Sequence, residues 1–361
     1  MNWDDDLLLE QASRERGQYQ LAMYAIHLAT GSSIYLRTLK PATIKQYVYA
    51  ASSFLAYFSG QDFRKDGDRD AAMGSVLGPV YRALDQFDSL PDRREPWTPA
   101  MQRRLESHAI PWRTSSPNGV CCTLSDWFAL GLCAGFRLSE WAQPASHGDP
   151  LHPQVKKLGN RTYVQALLAQ DVRICTISNQ RAVGLATLQH PVESIRKVWI
   201  TFRWQKNRQF GEERMFTQNP TPGGHCFVTN MYRVLCRFQT LTTRDSLPQA
   251  STPLGIYHDI AHGNTRLITS EIIEAVMRNV VSLECGLDPV DDAEALQRWG
   301  SHSLRVGACV SLHAMGFSPL DIKWLLRWRS DAFMAYLRNI AILADRHNRA
   351  LDRLDGMPHL I

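Results

Sequence analysis

The chain has 361 residues, 44% hydrophobic and 21% charged, with a formal net charge of +5. That length supports two domains, each with its own core, and the composition is that of a globular protein, which excludes collagen-like and disordered classes. No apolar run approaches the roughly eighteen residues of a membrane span. The eight cysteines show no repeated CxxC spacing and include the adjacent pair Cys121 and Cys122. They read as reduced thiols in an intracellular protein rather than as a zinc site or a disulfide framework.

The opening "MNWDDD" is acidic, which argues against a secretory signal, and residues 1–16 read as an arm. Next, "KPATIKQYVYAASSFLAYF" places Ile44, Tyr47, Val48, Ala51, Phe54, Leu55 and Phe58 on one helical face, with Thr43 at its start. "AAMGSVLGPVYRALDQF" reads as a further helix or helix pair. In "DSLPDRREPWTPAMQRRLE" two prolines and several charges break the periodicity near Leu90–Trp97, so a linker is placed at residues 93–98. No strand pattern precedes it. Residues 17–92 are therefore expected as an all-helical domain.

Residues 99–361 are expected as the second domain. "TLSDWFALGLCAGFRLSEWAQ" is a buried helix ending in "FRLSEW". The runs "DVRICTIS", "KVWITFRW" and "ERMFTQN" are rich in β-branched and aromatic residues, and the last two flank the polar turn "QKNRQFGE", which predicts a hairpin with Gly211 in its turn. From Thr229 onward the pattern is helical again. The fold class is mainly α with a small antiparallel β-sheet. Charge divides unevenly: residues 1–99 hold 11 basic and 13 acidic side chains, and residues 100–361 hold 29 and 22. A basic second domain permits nucleic-acid binding without requiring it.

Polar groups suited to phosphate chemistry recur through the second domain. Arg137 and Glu140 lie in "FRLSE", Lys206 and Arg208 at the hairpin turn, and His302 and Arg305 in "HSLR". Arg327 and Trp328 follow, and then Tyr336, the only tyrosine after His302. Each motif alone is common: an Arg or His on a helix is usually structural, Tyr336 beside Phe333 and Leu337 would pass for a core aromatic, and Lys206 for a solvated turn residue. "LHAMGFSPLDIKWLL" has the outline of a helix-turn-helix with Gly316 at its turn, which alone would suggest a DNA-binding module. The remaining histidines have no metal-ligand spacing.

The joint order resembles the tyrosine recombinase (phage-integrase) family, over roughly residues 100–345, and the wording "HSLRVGA…RWRSDAF…YLR" looks most like the Crypton-type recombinases of eukaryotic mobile elements. The resemblance implies the two-domain architecture of that family, a helical core-binding domain and an α+β catalytic domain that clamp duplex DNA. It implies strand cleavage through a 3′-phosphotyrosine intermediate and a Holliday junction, with no metal, ATP or other cofactor. Arg137 and Arg305 would hold the scissile phosphate, Tyr336 would be the nucleophile, His302 would accept its proton, and Lys206 would protonate the leaving 5′ oxygen. Glu140 would orient a neighbour. Spacing to Tyr336 puts Arg327 where the family has His or Trp, with Trp328 as the alternative. Lys40, Thr43, Lys45, Gln46 and Arg208 are candidate DNA contacts. The last helix carries an apolar stripe (Ile340, Leu343, Ala350, Leu351 and Leu354) expected to dock on a neighbour in a DNA-bound homotetramer. The setting would be nuclear in a eukaryote and otherwise cytoplasmic. Two other readings stay open: a type IB topoisomerase-like enzyme that works as a monomer, and a DNA-binding relic without activity.

Overall fold

The computed structural model describes residues 14–30, 39, 41–60, 62–66, 69–70, 76–86, 94–143, 153, 155–158, 161–203, 211–219 and 226–337. Lys40, Lys206, Arg208 and everything from residue 338 onward lie outside these residues. The chain divides into two compact units, Met1–Asp92 and Arg93–Ile361. It is mainly helical with a small antiparallel sheet, and no described helix is long and apolar enough to cross a membrane.

The first unit packs α1 (Arg14–Ala29), α2 (Pro41–Ser59) and α3 (Leu77–Gln86) around Leu21, Leu28, Ile44, Val48, Leu55 and Leu77. A two-residue antiparallel ladder, β1 (Lys65–Asp66) with β2 (Arg69–Asp70), departs from the all-helical expectation. The buried face of α2 is also narrower than the periodicity suggests. Ile44, Val48, Ser52 and Leu55 are buried, whereas Phe54, Tyr57 and Phe58 are more than half exposed. Two facing helices cover only a stripe at i, i+4, i+8 and i+11, which leaves Tyr47, Phe54 and Phe58 on its flank.

The second unit begins inside the stretch expected as a linker. Trp97 is fully buried, its backbone N–H donates to the Ser303 carbonyl at 3.0 Å, and Glu95 N–H donates to Arg298 O at 3.0 Å. A tryptophan this large is worth burying, and here it anchors the chain entry to the body of the unit. α4 (Pro99–Ala109) has Thr98 as its N-cap and Pro99 in its first turn. The short α5 (Trp112–Ser115) leads into α6 (Val120–Ala134), which is buried along most of its length and ends on Gly135 at φ +56°. α7 (Leu138–Trp141) follows directly. Trp127 stacks on Trp141 with ring centroids 5.2 Å apart, fixing α6 against α7.

The β-region contains the hairpin β3 (Val155–Leu158) and β4 (Arg161–Val164), then β5 (Val172–Thr176), β6 (Arg181–Val183), β7 (Ile195–Phe202) and β8 (Glu212–Thr217). The last four form one antiparallel sheet in the order β6-β5-β7-β8, with Phe202 opposite Glu212 at the mouth of the β7–β8 hairpin. β5, β7 and β8 follow the three expected runs. β3, β4 and β6 were not legible in them. α8 (Phe227–Arg244) crosses α6, and a further unexpected hairpin, β9 (Ile256–Asp259) and β10 (Asn264–Leu267), interrupts the helical C-terminal half. Then come α9 (Ser270–Cys285), α10 (Ala293–Leu296), α11 (Ser303–Ala314), α12 (Pro319–Leu325) and α13 (Met334–Leu337). Gly316, at φ +90°, turns the chain between α11 and α12, and Ser318 and Asp321 form a capping box at the start of α12.

α11 approaches the 94–98 stretch so closely that a Cβ on Gly307 would lie 2.0 Å from the Trp97 carbonyl oxygen. Backbone cannot give way as a side-chain tip can. Gly307→Ala is therefore expected to lower stability by about 1–3 kcal/mol, read as a lower urea midpoint with an unchanged slope.

Candidate active site

Three chain segments meet around Tyr336. α11 starts at His302, which puts His302 and Arg305 on adjacent positions of its first turn. The segment from Gly135 to Arg137 joins α6 to α7, with Arg137 at the N-cap of α7. The third segment runs from the end of α12 through Arg327 and Trp328 to α13, which carries Tyr336. Trp328 and Tyr336 pack on a small core of Ala308, Cys309, Ile322, Leu326, Phe333 and Leu337.

The nucleophile candidate touches the base candidate. His302 Nε2 and the Tyr336 hydroxyl are 3.0 Å apart. Trp328 completes an aromatic wall, its ring centroid 6.0 Å from Tyr336 and 6.5 Å from His302. The Arg305 guanidinium lies over the Trp328 ring at 4.3 Å. Burial, followed by the charges of Arg305 and Arg94, holds the His302 imidazole down at about 4. It is neutral at physiological pH.

Arg305 is 2% exposed. Its guanidinium donates to the Gly135 carbonyl, to Leu326 O at 2.5 Å and to Arg327 O at 3.5 Å. Arg137 donates to the same Arg327 oxygen at 3.0 Å and to Glu140 Oε1 at 3.1 Å. Two guanidiniums thus converge on one carbonyl oxygen. Burial first, then the neighbouring Arg137 charge, pulls Arg305 down to about 9. The charge persists at neutral pH but is poorly solvated.

Glu140 is buried and shared. Its Oε2 accepts the Arg137 backbone N–H at 2.9 Å and Arg327 Nη2 at 2.7 Å. The first of these is the reach-back of an N3 glutamate to its N-cap. The structure places Arg327 differently from the sequence expectation. Its side chain is 0% exposed, paired to Glu140, with the guanidinium carbon 3.5 Å from the Phe202 ring centroid. Its guanidinium is sealed between the Glu140 carboxylate and the Phe202 ring. The residue beside it, Trp328, is the one that lines the tyrosine, and its indole N–H is buried with no hydrogen-bond partner among the described residues. Such an orphan donor costs about 1–3 kcal/mol and in a native protein asks for an explanation.

The backbone explains the swap. Trp328 N–H donates to Lys323 O at 2.9 Å and Arg327 N–H to Trp324 O at 3.3 Å, the paired bonds of a Schellman motif. Arg327 occupies the left-handed C′ position, at φ +57°, that glycine usually fills. The reversal turns its carbonyl onto the two arginines and its side chain into the interior. Nothing in "LLRWRS" signals this, and the accepting carbonyls of Gly135, Leu326 and Arg327 are likewise backbone atoms without a sequence signature.

Of the DNA-contact candidates, Thr43, Lys45 and Gln46 lie in the first turns of α2, with Lys45 Nζ 5.4 Å from the Tyr81 ring centroid. They belong to the first unit. Among the described residues no group of three or more His, Cys, Asp or Glu is arranged to hold a metal ion.

No family model and no curated protein matches the sequence. Among solved structures the chain is similar to the Tn1549 transposon integrase in complex with transposon right-end DNA, at 12% identity and a TM-score of 0.42, covering 94% of this chain and 86% of that one. The same integrase in complex with circular-intermediate DNA matches at 13% identity and a TM-score of 0.42, covering 88% and 80%. The XerA recombinase matches at 14% identity and a TM-score of 0.35, covering 92% and 98%. At these values the functional argument is carried by the geometry of the site itself.

The depressed His302 value has a stability consequence of defined sign. Between pH 6.5 and 4 the unfolded chain binds a proton that folded His302 refuses, so stability rises with pH across this window. On acidification from pH 7 to 4.5 the DNA-free protein is expected to lose about 2–3 kcal/mol from this group, and His302→Gln to lose that much less. Urea unfolding of both proteins at the two pH values measures the difference.

Proposed function

We propose that the chain is a DNA strand-cleaving and rejoining enzyme of the tyrosine recombinase type. The observation that carries the reading is the Tyr336 hydroxyl held at 3.0 Å from a neutral imidazole, in a site where Arg305 and Arg137 converge on a single oxygen acceptor. Attack of a phenol on a phosphodiester gives a five-coordinate phosphorus with added charge on its non-bridging oxygens. Fixed guanidiniums aimed at one oxygen position stabilise that charge. In the absence of DNA the acceptor is the Arg327 carbonyl. A phosphate oxygen, carrying a full share of negative charge, is the stronger partner for both.

The proton inventory closes with residues of this chain. The His302 imidazole, held down at about 4, leaves a gap in basicity toward a phenol proton in the free protein. A bound phosphodiester anion offsets the Arg305 charge, one of the causes that depress His302, and narrows the gap as Tyr336 attacks. Lys206, in the segment that joins β7 to β8, protonates the leaving 5′ oxygen. Trp328 takes the donor role toward the phosphate, its unpaired indole N–H being the support for choosing it over Arg327. The phosphotyrosine bond conserves the energy of the broken strand, and the reverse attack by a 5′ hydroxyl rejoins it.

Site-specific recombination is the finer reading: two duplexes exchange strands through a Holliday junction in a homotetramer joined by the segment beyond residue 338. Phosphate contacts by the basic second unit would give a steep loss of affinity with salt.

A nicked suicide duplex that loses its 5′-hydroxyl strand on cleavage tests the chemistry. The wild type is expected to trap a covalent protein–DNA adduct, with chelator present or absent, and Tyr336→Phe none. Trp328→Phe is expected to slow adduct formation by about 10²-fold while leaving DNA affinity within a few-fold. Absence of any wild-type adduct on cognate or supercoiled DNA would leave the non-catalytic binding reading. Relaxation of supercoils by a monomer would favour the topoisomerase reading over recombination.

A further inference from the structure

The Arg327 side chain packs on Glu140 and Phe202, and its position is costly in two ways. It holds an L-residue in the left-handed region at φ +57°, and it buries a guanidinium whose Nε and Nη1 have no hydrogen-bond partner among the described residues. A glycine would meet the backbone requirement of this turn without either cost. The side chain must therefore do something a turn does not need.

We infer that Arg327 is a positioning residue that sets the aim of the Arg137–Arg305 clamp, acting through Glu140 on one side and through its own carbonyl on the other; this deepens the strand-cleavage reading and rests on it. Glu140 is the connection. One of its oxygens takes the Arg137 guanidinium at 3.1 Å, and the other is shared between the Arg137 backbone N–H and Arg327 Nη2. With Arg327 present, half of the carboxylate is pinned to a group buried against Phe202. Without it, Glu140 has Arg137 as its sole guanidinium partner among these three arginines. A second carboxylate oxygen then competes with the phosphate for that guanidinium. The carbonyl gives the second hold: Arg137 and Arg305 both donate to it, so a shift of the 326–328 turn moves both donors together. Arg327 thus fixes where the clamp points without touching what the clamp binds.

The test compares Arg327→Gly, which relieves the left-handed residue, with Arg327→Lys, which keeps the charge and loses the planar fork. Each is assayed on the suicide duplex with an ordinary scissile phosphate and on one with a methylphosphonate there. The methyl group replaces a non-bridging oxygen and removes the charge that the clamp answers. On the phosphodiester, Arg327→Gly is expected to cleave about 10²-fold more slowly, with DNA affinity within about threefold of wild type, and Arg327→Lys to recover part of the loss. On the methylphosphonate the gap to wild type should close to within about threefold, because aim at a charged oxygen no longer matters. A purely structural defect would slow both substrates alike. If Arg327→Gly does not fold by circular dichroism, Arg327→Lys carries the same two-substrate comparison. Wild-type rates for the folded variant on the phosphodiester, or an equal defect on both substrates, would overturn the inference. A wild type that forms no adduct at all would overturn the strand-cleavage reading and this inference with it, which separates the two failures.

Discussion

The convergence of Arg137 and Arg305 on the Arg327 carbonyl oxygen is the interaction that orders the rest of the site. The guanidiniums of Arg137, Arg305 and Arg327 gather around the Glu140 carboxylate and the Arg327 carbonyl. Charge held in a buried setting is expensive unless paired and fully hydrogen-bonded. A carbonyl dipole satisfies donors but neutralises nothing. Burial, the first cause for both, pulls Arg305 and Arg327 down.

Two left-handed residues make the convergence possible. Gly135 ends α6 at φ +56°, and its carbonyl accepts Arg305. Arg327 ends α12 at φ +57°, and its carbonyl accepts both arginines. Leu326 packs against Gly135 so closely that a Cβ there would lie 2.8 Å from the leucine Cδ2. Two helix ends therefore meet end to loop, with Arg305 bonded across the join. The same contact that stops the helices builds the acceptor set.

What the sequence carried was spacing. His302 and Arg305 at i, i+3 reach one site because α11 begins there, and Arg137 and Glu140 at i, i+3 meet because α7 begins there. The strands β5, β7 and β8 were legible from their β-branched and aromatic runs, and the buried α6 from its apolar length. Failures have physical causes. β3, β4, β6, β9 and β10 are three to four residues long, too short for alternation to register. The exposed flank of α2 follows from how few helices cover it, which its own periodicity cannot report. Counting residues back from Tyr336 favoured Arg327 over Trp328, because a count cannot see a Schellman turn that sends one side chain inward and brings the next to the tyrosine. Arg327 is also the candidate whose backbone is unusual, at φ +57°.

The same turn extends its reach to the β7–β8 hairpin. Phe202, the last residue of β7, lies beneath the Arg327 guanidinium at 3.5 Å. Arg214 of β8 donates to the Trp324 carbonyl at 2.9 Å, with its guanidinium carbon 4.6 Å from the Trp324 ring centroid. The hairpin is thus held at its base by both strands, on either side of the residues that carry the clamp. Anchoring the hairpin base and the Arg137–Arg305 pair to one turn sets both in a common frame.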